Sequence, residues 1–227
     1  MAPAASVWAV VVAAGQGTRF GRYKQFAPLG GHEVVDWSLA AAGRTCTGVV
    51  LVVPTDMVEA YQDRADQVVA GGSSRPASVR HGLASVPGEA GVIVVHDAAR
   101  PFASDAIWEA VIAAVGEGAD AAVPFVAVTD TIKQRQDDGR LVTLERAHLV
   151  AAQTPQAFRA AALRAAHADG RDATDDAALV EARGGRVVLV PGHASNLKLT
   201  GSVDLAVAEA LLAEGNFGRH PGPGEAQ

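Results

Sequence analysis

The sequence predicts an α/β fold, a three-layer, Rossmann-like doubly wound sheet with helices on both faces. Three observations carry that reading. Short β-branched runs alternate with alanine-rich stretches of helical spacing. The runs are almost continuously apolar, as strands covered on both faces are. The 227 residues, 49% hydrophobic, can bury one good-sized core, so one domain is expected.

The elements follow in order. "VWAVVVA" (7–13) is the first strand and runs into the glycine-broken, cationic loop "AGQGTRFGRYKQF". "VVDWSLAAAGR" (34–44) has helical spacing and leads to the buried strand "GVVLVVP" (48–54). "TDMVEAYQDRA" (55–65) and "RPASVRHGLASV" (75–86) are read as helices, and "GVIVVHD" (91–97) as the next strand. A helix over 104–118 and the strands "DAAVPFVAV" (120–128) and "RVVLVPG" (186–192) complete the alternation. One stretch breaks the rhythm. Residues 129–156 are polar, strand-like on both sides of "DDG", and read as a projecting hairpin. The expected organisation is one domain over 1–217, with a β-arm at about 128–152 and a disordered tail over 218–227.

Composition excludes several classes. A formal charge of −6 argues against wholesale binding to nucleic acid or an anionic membrane. Any anion site must therefore be a local basic cluster. The single cysteine allows no internal disulfide and fits a reducing cytoplasm. No apolar run reaches the length of a membrane span, and nothing basic precedes the first one, as a signal peptide would require.

In open α/β sheets, ligands bind beyond the carboxyl ends of the strands. Four places there hold chemistry. In the opening loop, Gly15 and Gly17 let backbone N–H groups approach phosphate oxygens, while Arg19, Arg22 and Lys24 supply charge. Phe20 stands where a dinucleotide fingerprint wants glycine or alanine, and the Gly-Lys-Ser/Thr of a Walker A loop is absent. In "VVHDAARPF", Asp97 can serve a magnesium ion or a ribose, and Arg100 can grip a phosphate. An N-cap aspartate beside a surface arginine is the bland alternative. In "GGSSRPASVRHG", free N–H groups and Arg75 sit at a helix start. An ordinary capped helix explains those residues almost as well. The fourth place comprises "LERAHLVAAQTPQ", "DATDDAALVE" and "SNLKLT", which offer Arg146, Thr154, Thr174 and Lys198. With only three lysines against sixteen arginines, Lys24, Lys133 and Lys198 mark positions where a compact point charge is wanted.

The sequence holds no Ser-His or Cys-His pair and no His/Cys metal-ligand spacing. A phosphate monoester attacking a nucleoside triphosphate needs neither, since its second pKa of about 6 leaves it ionised at neutral pH. The barrier lies in bringing polyanions together, which calls for cations and positioning.

Together, "AAGQGTR", "VHDAARP", "DTIK", "QTPQ", "TDDAALVE" and "NLKLT" resemble the polyol-phosphate cytidylyltransferases, in that family's order and from Val7 to about Leu212. The "AAG" start is closer to the branch acting on 2-C-methyl-D-erythritol 4-phosphate than to the ribitol 5-phosphate branch, the alternative substrate. A non-catalytic nucleotide-binding regulator is the alternative of another class. The resemblance implies a fold of the nucleotide-diphospho-sugar transferase type, CTP with Mg2+ held largely by its phosphates, and a cytoplasmic homodimer with exchanged arms. It implies that Arg19, Lys24, Arg146 and Lys198 are catalytic. Ala13, Ala14, Gly15 and Gly17 would line the triphosphate, Gly72, Arg75 and Ser78 the cytosine, and Asp97, Ala98 and Ala99 the ribose. Asp97, Arg100, Thr131, Arg146, Thr154, Thr174 and Lys198 would grip the polyol phosphate, with Asp97 a possible metal ligand. The family commonly reads Pro-Lys-Gln where this chain has Tyr23, Lys24 and Gln25.

Overall fold

The computed structural model describes residues 6–15 and 23–215 of the chain. Its early strands are β1 (Val7–Val12), β2 (Pro28–Leu29), β3 (His32–Glu33), β4 (Gly48–Val53), β5 (Gln67–Ala70) and β6 (Val92–Asp97). The later ones are β7 (Ala121–Ala127), β8 (Lys133–Arg135), β9 (Leu141–Thr143), β10 (Val150–Ala152), β11 (Gln156–Arg159) and β12 (Val187–Pro191). The α-helices are α1 (Val34–Thr45), α2 (Val58–Tyr61), α3 (Arg75–Ser85), α4 (Asp105–Gly116), α5 (Ala160–His167), α6 (Asp176–Glu181) and α7 (Ser202–Ala213).

The central sheet has eight strands. Seven run in the order β10-β7-β11-β6-β1-β4-β5, and β12 pairs with β7. Ala121 and Ala122 pair with both β11 and β12, so β12 flanks β7 on the side away from β11. The three central strands are apolar because neither face meets water. Along β1, Ala9 and Val11 pack into one cluster with Leu51, Val94, Trp108 and Val111. Val10 points the other way, into a cluster with Val50, Ile93, Phe158 and Leu163. This alternation of side chains between two buried faces makes the three layers. Each such fully buried aliphatic or aromatic side chain contributes about 1.5–3 kcal/mol.

The predicted strands appear within a residue or so of their expected bounds. Other elements differ from expectation, each for a physical reason. The sheet is mixed: β11 runs antiparallel between β6 and β7, and β10 antiparallel to β7. Gln156 is a buried polar residue inside β11, which hides the strand from an apolarity pattern. The helix expected over 55–65 shrinks to a 3₁₀ turn at Thr55–Met57 and the single turn α2. It ends where Tyr61 is pinned, its ring 4.8 Å from Phe26 and its hydroxyl donating to Glu33 at 2.8 Å. β5 is a short, half-exposed strand, too brief to register as a pattern.

Across "DDG", β8 and β9 pair antiparallel, with Lys133 opposite Thr143. Gly139 closes the turn at φ +84°, a conformation that favours glycine. Both strands are exposed and form a ladder separate from the central sheet.

Helix α3 lies on β1 and β4 so closely that Gly82 has no room for a side chain. A Cβ there would meet Val10 Cγ1 at 2.5 Å and Val52 Cγ2 at 3.0 Å, both on fully buried strand residues. Gly82→Ala gains about 1 kcal/mol of helix propensity but overpacks a core that relaxes at a cost of about 1–3 kcal/mol. Net destabilisation is expected, read as a lower urea midpoint at unchanged m-value. A midpoint at or above wild type would contradict this packing.

Candidate active site

Strands β1 and β6 are parallel and paired to their last residues, Val12 opposite Asp97. The chain leaving each strand therefore emerges at the same level, beside the turn that joins β5 to α3. A cavity of about 450 Å³ opens there. Ala13, Ala14, Gly15, Lys24, Gly72, Arg75, Ser78, Asp97, Ala99 and Lys198, all candidates from the sequence, line it together. Val12, Gln25, Ser73 and Ser74 also line it and were not singled out as site residues.

The backbone of this cavity is held by buried side chains. Gln25 is 3% exposed, and its Nε2 donates to the Ala13 and Gly15 carbonyls, the latter at 2.9 Å. That ties the chain leaving β1 to the segment that carries Lys24. On the other wall, Ser74 caps α3 by accepting from the Ala77 N–H at 3.2 Å. Ser78 accepts from the Gly72 N–H at 3.1 Å and donates to the Ser74 carbonyl at 2.9 Å. The two walls touch at Gly71, where an added Cβ would lie 2.2 Å from the Ala14 methyl. Tyr23, where the family that the sequence resembles commonly has proline, has a φ of −66°, within proline's own range. Its ring makes an edge contact with Phe26 at 6.1 Å.

Charge is concentrated on one carboxylate. Asp97 Oδ1 accepts from Arg75 Nε at 3.0 Å, and Oδ2 from Lys198 Nζ at 2.6 Å. Arg75 Nη1 donates to Asp176 Oδ2 at 2.9 Å. Burial alone would raise the Asp97 carboxyl, but the Arg75 and Lys198 cations outweigh it and hold it well below the usual carboxylate range. Burial likewise opposes the Arg75 charge, and Asp97 and Asp176 more than restore it. The arrangement gives a magnesium ion little at Asp97, because each oxygen already accepts from a cation that would repel the metal. Among the described residues no group of three His, Cys, Asp or Glu side chains is placed to hold a metal.

Behind the cavity, Thr154 Oγ1 accepts from the Asp97 N–H at 3.0 Å. Its hydroxyl proton is then directed to His96 Nδ1 at 3.1 Å, so the ring carries its proton on Nε2 and donates to the Arg100 carbonyl at 3.1 Å. His96 is fully buried against Trp108, 5.1 Å between rings. Arg100 Nη1 donates to the Asn196 carbonyl at 2.7 Å, and Asn196 Nδ2 to the Thr154 carbonyl at 2.9 Å. This network ties "HDAARP", "QTP" and "SNLK" to one another; the buried polar residues Gln153 and Asn196 carry it. In the sequence they are ordinary polar residues, and only the loops around them were suggestive.

The remaining candidates lie off the cavity wall. Ala98 is buried in the core, its N–H donating to the Val12 carbonyl at 3.1 Å. Thr131 and Thr174 are exposed. Arg146 is exposed in a 3₁₀ turn, where Nη1 donates to the Thr129 carbonyl at 2.6 Å. Gly17, Arg19 and Arg22 fall outside the described residues, as does the tail expected over 218–227.

Comparisons with known proteins agree with one another. The family model described as IspD, 2-C-methyl-D-erythritol 4-phosphate cytidylyltransferase, matches residues 7–214. A protein of that name from Saccharopolyspora erythraea is 44% identical, over 92% of this chain and 100% of its own length. The bifunctional enzyme IspD/IspF of Solidesulfovibrio magneticus is 41% identical, and the match spans 57% of its length. The crystal structure of the enzyme from Thermus thermophilus superposes with a TM-score of 0.78 at 35% identity, over 90% of this chain and 98% of that one.

The buried His96 gives a pH signature. Burial, only partly opposed by Asp97, lowers its pKa from 6.5 to about 4. Between those values the unfolded imidazole binds a proton that the native one does not. Stability is therefore full above pH 6.5 and falls as the pH drops toward 4, by up to about 3 kcal/mol from this group. Urea unfolding from pH 7 to 4 should show His96→Gln, though less stable at pH 7, losing less on acidification than wild type. Parallel profiles for the two proteins would refute it.

Proposed function

The chain belongs to the 2-C-methyl-D-erythritol 4-phosphate cytidylyltransferase family, and we propose how its cavity performs the reaction. The enzyme transfers CMP from CTP to 2-C-methyl-D-erythritol 4-phosphate, giving 4-diphosphocytidyl-2-C-methyl-D-erythritol and pyrophosphate in non-mevalonate isoprenoid precursor synthesis. The observation that carries the mechanism is the cavity's character. Its described ionisable lining is Lys24, Arg75 and Lys198 around the single carboxylate of Asp97, with no histidine or thiol beside them.

In this reading the acceptor's phosphate oxygen attacks the α-phosphorus of CTP. The new P–O bond forms as the bond to the bridging oxygen of pyrophosphate breaks, and no proton need be abstracted, because the nucleophile is already ionised. Lys24, with Arg19, stabilises charge gathering at the α-phosphate, and backbone N–H groups of Ala14 and Gly15 meet the triphosphate. Gly72, Arg75 and Ser78 take the nucleobase side, and Asp97 with Ala99 the ribose. Lys198 serves the acceptor directly, Arg100 and Thr154 brace the wall behind it, and Thr131 and Thr174, off the cavity wall, are assigned to the acceptor from the sequence motifs alone. Mg2+, carried by the phosphates of CTP, would lessen the charge of the triphosphate that Lys24 and Lys198 meet. Both substrates are water-soluble phosphates, which suits a cytoplasmic enzyme.

Arg146 is proposed to act in a partner's cavity. It follows β9 in a 3₁₀ turn and is not among the described residues that line its own cavity. Leu141 and Val142 on β9 and Val150 on β10 are exposed apolar residues, at 64%, 46% and 43%, which a twofold-related copy would cover. An isolated two-stranded ladder is marginal in water, which favours the same arrangement.

Two measurements test these readings. Purified protein with CTP, Mg2+ and 2-C-methyl-D-erythritol 4-phosphate should release pyrophosphate, whereas ribitol 5-phosphate should be a poor acceptor. Turnover with ribitol 5-phosphate alone would overturn the assignment of substrate. For the exchanged arm, Lys24→Ala and Arg146→Ala proteins, each nearly inactive, are unfolded together and refolded. About half the dimers are then mixed, each with one intact site of two, so roughly a quarter of wild-type activity should return. Subunit exchange without recovery would put Arg146 in its own chain's site.

A further inference from the structure

We propose that Asp176 is a positioning residue for the nucleotide, acting through Arg75 from behind the cavity wall. It belongs to the "TDD" sequence from which only Thr174 was given a part in the reaction. Its side chain is 1% exposed. Oδ2 accepts from Arg75 Nη1 at 2.9 Å, and Oδ1 meets His167 Nε2 at 3.0 Å. His167 closes α5 and is itself buried. The result is a chain of alternating groups, His167, Asp176, Arg75, Asp97 and Lys198, that runs from the helical layer to the cavity.

The geometry explains why one carboxylate would not suffice. Asp97 engages Arg75 only at Nε, and a guanidinium held at one nitrogen can pivot about that contact. Asp176 fixes a second nitrogen, which sets the plane of the fork. Nη2 is then the nitrogen left for an acceptor atom of the nucleotide in the cavity that Arg75 lines. Arginine carries a large rotamer entropy, so an arginine already immobilised loses less on binding. Asp176 also balances charge. Without it, Asp97 alone would face both Arg75 and Lys198, and each cation would sit differently.

The proposal rests on the reading of Arg75 as a nucleotide contact, and the test separates the two. Steady-state kinetics with CTP and the methylerythritol phosphate are compared for wild type, Asp176→Asn, Arg75→Ala and the double variant, with Tm measured for each. Loss of one charge-assisted contact should raise KM for CTP roughly tenfold in Asp176→Asn, with kcat much less affected. In the Arg75→Ala background the same substitution should add less than about twofold, because the residue it acts through is gone. A lowered Tm with unchanged KM, or additive losses, would reduce Asp176 to a structural brace and overturn the proposal. If Arg75→Ala alone leaves KM unchanged, the nucleotide reading of Arg75 falls and the proposal with it. Should the amide variant not fold, Asp176→Glu keeps the buried charge but displaces it by a methylene. The same KM rise and non-additivity are expected of it.

Discussion

The site depends on a single carboxylate held between two cations. Asp97 ends β6 with its N–H committed to Thr154 and its oxygens to Arg75 and Lys198. These partners come from the turn after β10, the start of α3 and the loop before α7. No local propensity brings those segments together. An ionised carboxylate with only 12% of its side chain exposed would cost several kcal/mol if unpaired, and the segments that supply its partners remove that cost. Asp97 thus acts as a structural register mark as much as a substrate contact.

The sheet makes the register possible. Because β1 and β6 are parallel and level, Ala13, Ala14 and Gly15 share one crevice with Asp97. The antiparallel β11 pairs with β6 through Gln156–Arg159, opposite Val92–Val95. That pairing sets Gln153 and Thr154, in the turn just before β11, beside His96 and Asp97. A strictly parallel sheet would need a crossover at this point and could not return the chain so directly. The departure from the doubly wound pattern is therefore what delivers Thr154 to the site.

What the sequence made legible follows the same division. Buried strands are apolar on both faces, so β1, β4, β6 and β7 could be read almost to the residue; the part-exposed β12 is legible by its valine and leucine run alone. The glycines and cations that follow them could be read because ligands collect at those ends. β5 and β11 could not, one being short and half-exposed and the other carrying a buried glutamine. Gln25, Gln153, Asn196 and Asp176 were missed because their importance lies in what they touch. A glutamine that donates to the Ala13 and Gly15 carbonyls looks, in one dimension, like any glutamine beside a lysine. Tyr23 shows the converse: a departure visible in the sequence is cancelled by a φ that only coordinates reveal.

A carboxylate in a cavity that receives polyanions would by itself work against binding, and its placement answers the objection. Lys198 and Arg75 approach the same Asp97 side chain, at 2.6 and 3.0 Å. Two cations so close, with an effective dielectric of about 20, would repel by about 2–4 kcal/mol and would splay toward solvent. Asp97 removes that repulsion and keeps both cations in place before any ligand arrives. It lowers the cavity's attraction for a bound triphosphate, since it too is an anion. It does not lower in the same measure the stabilisation of charge that moves during the reaction, because cations fixed in advance need not reorganise then. An enzyme gains rate from what it binds better in the transition state than in the ground state. A carboxylate that weakens static attraction while fixing the cations is consistent with that requirement, and with a chain whose overall charge is negative.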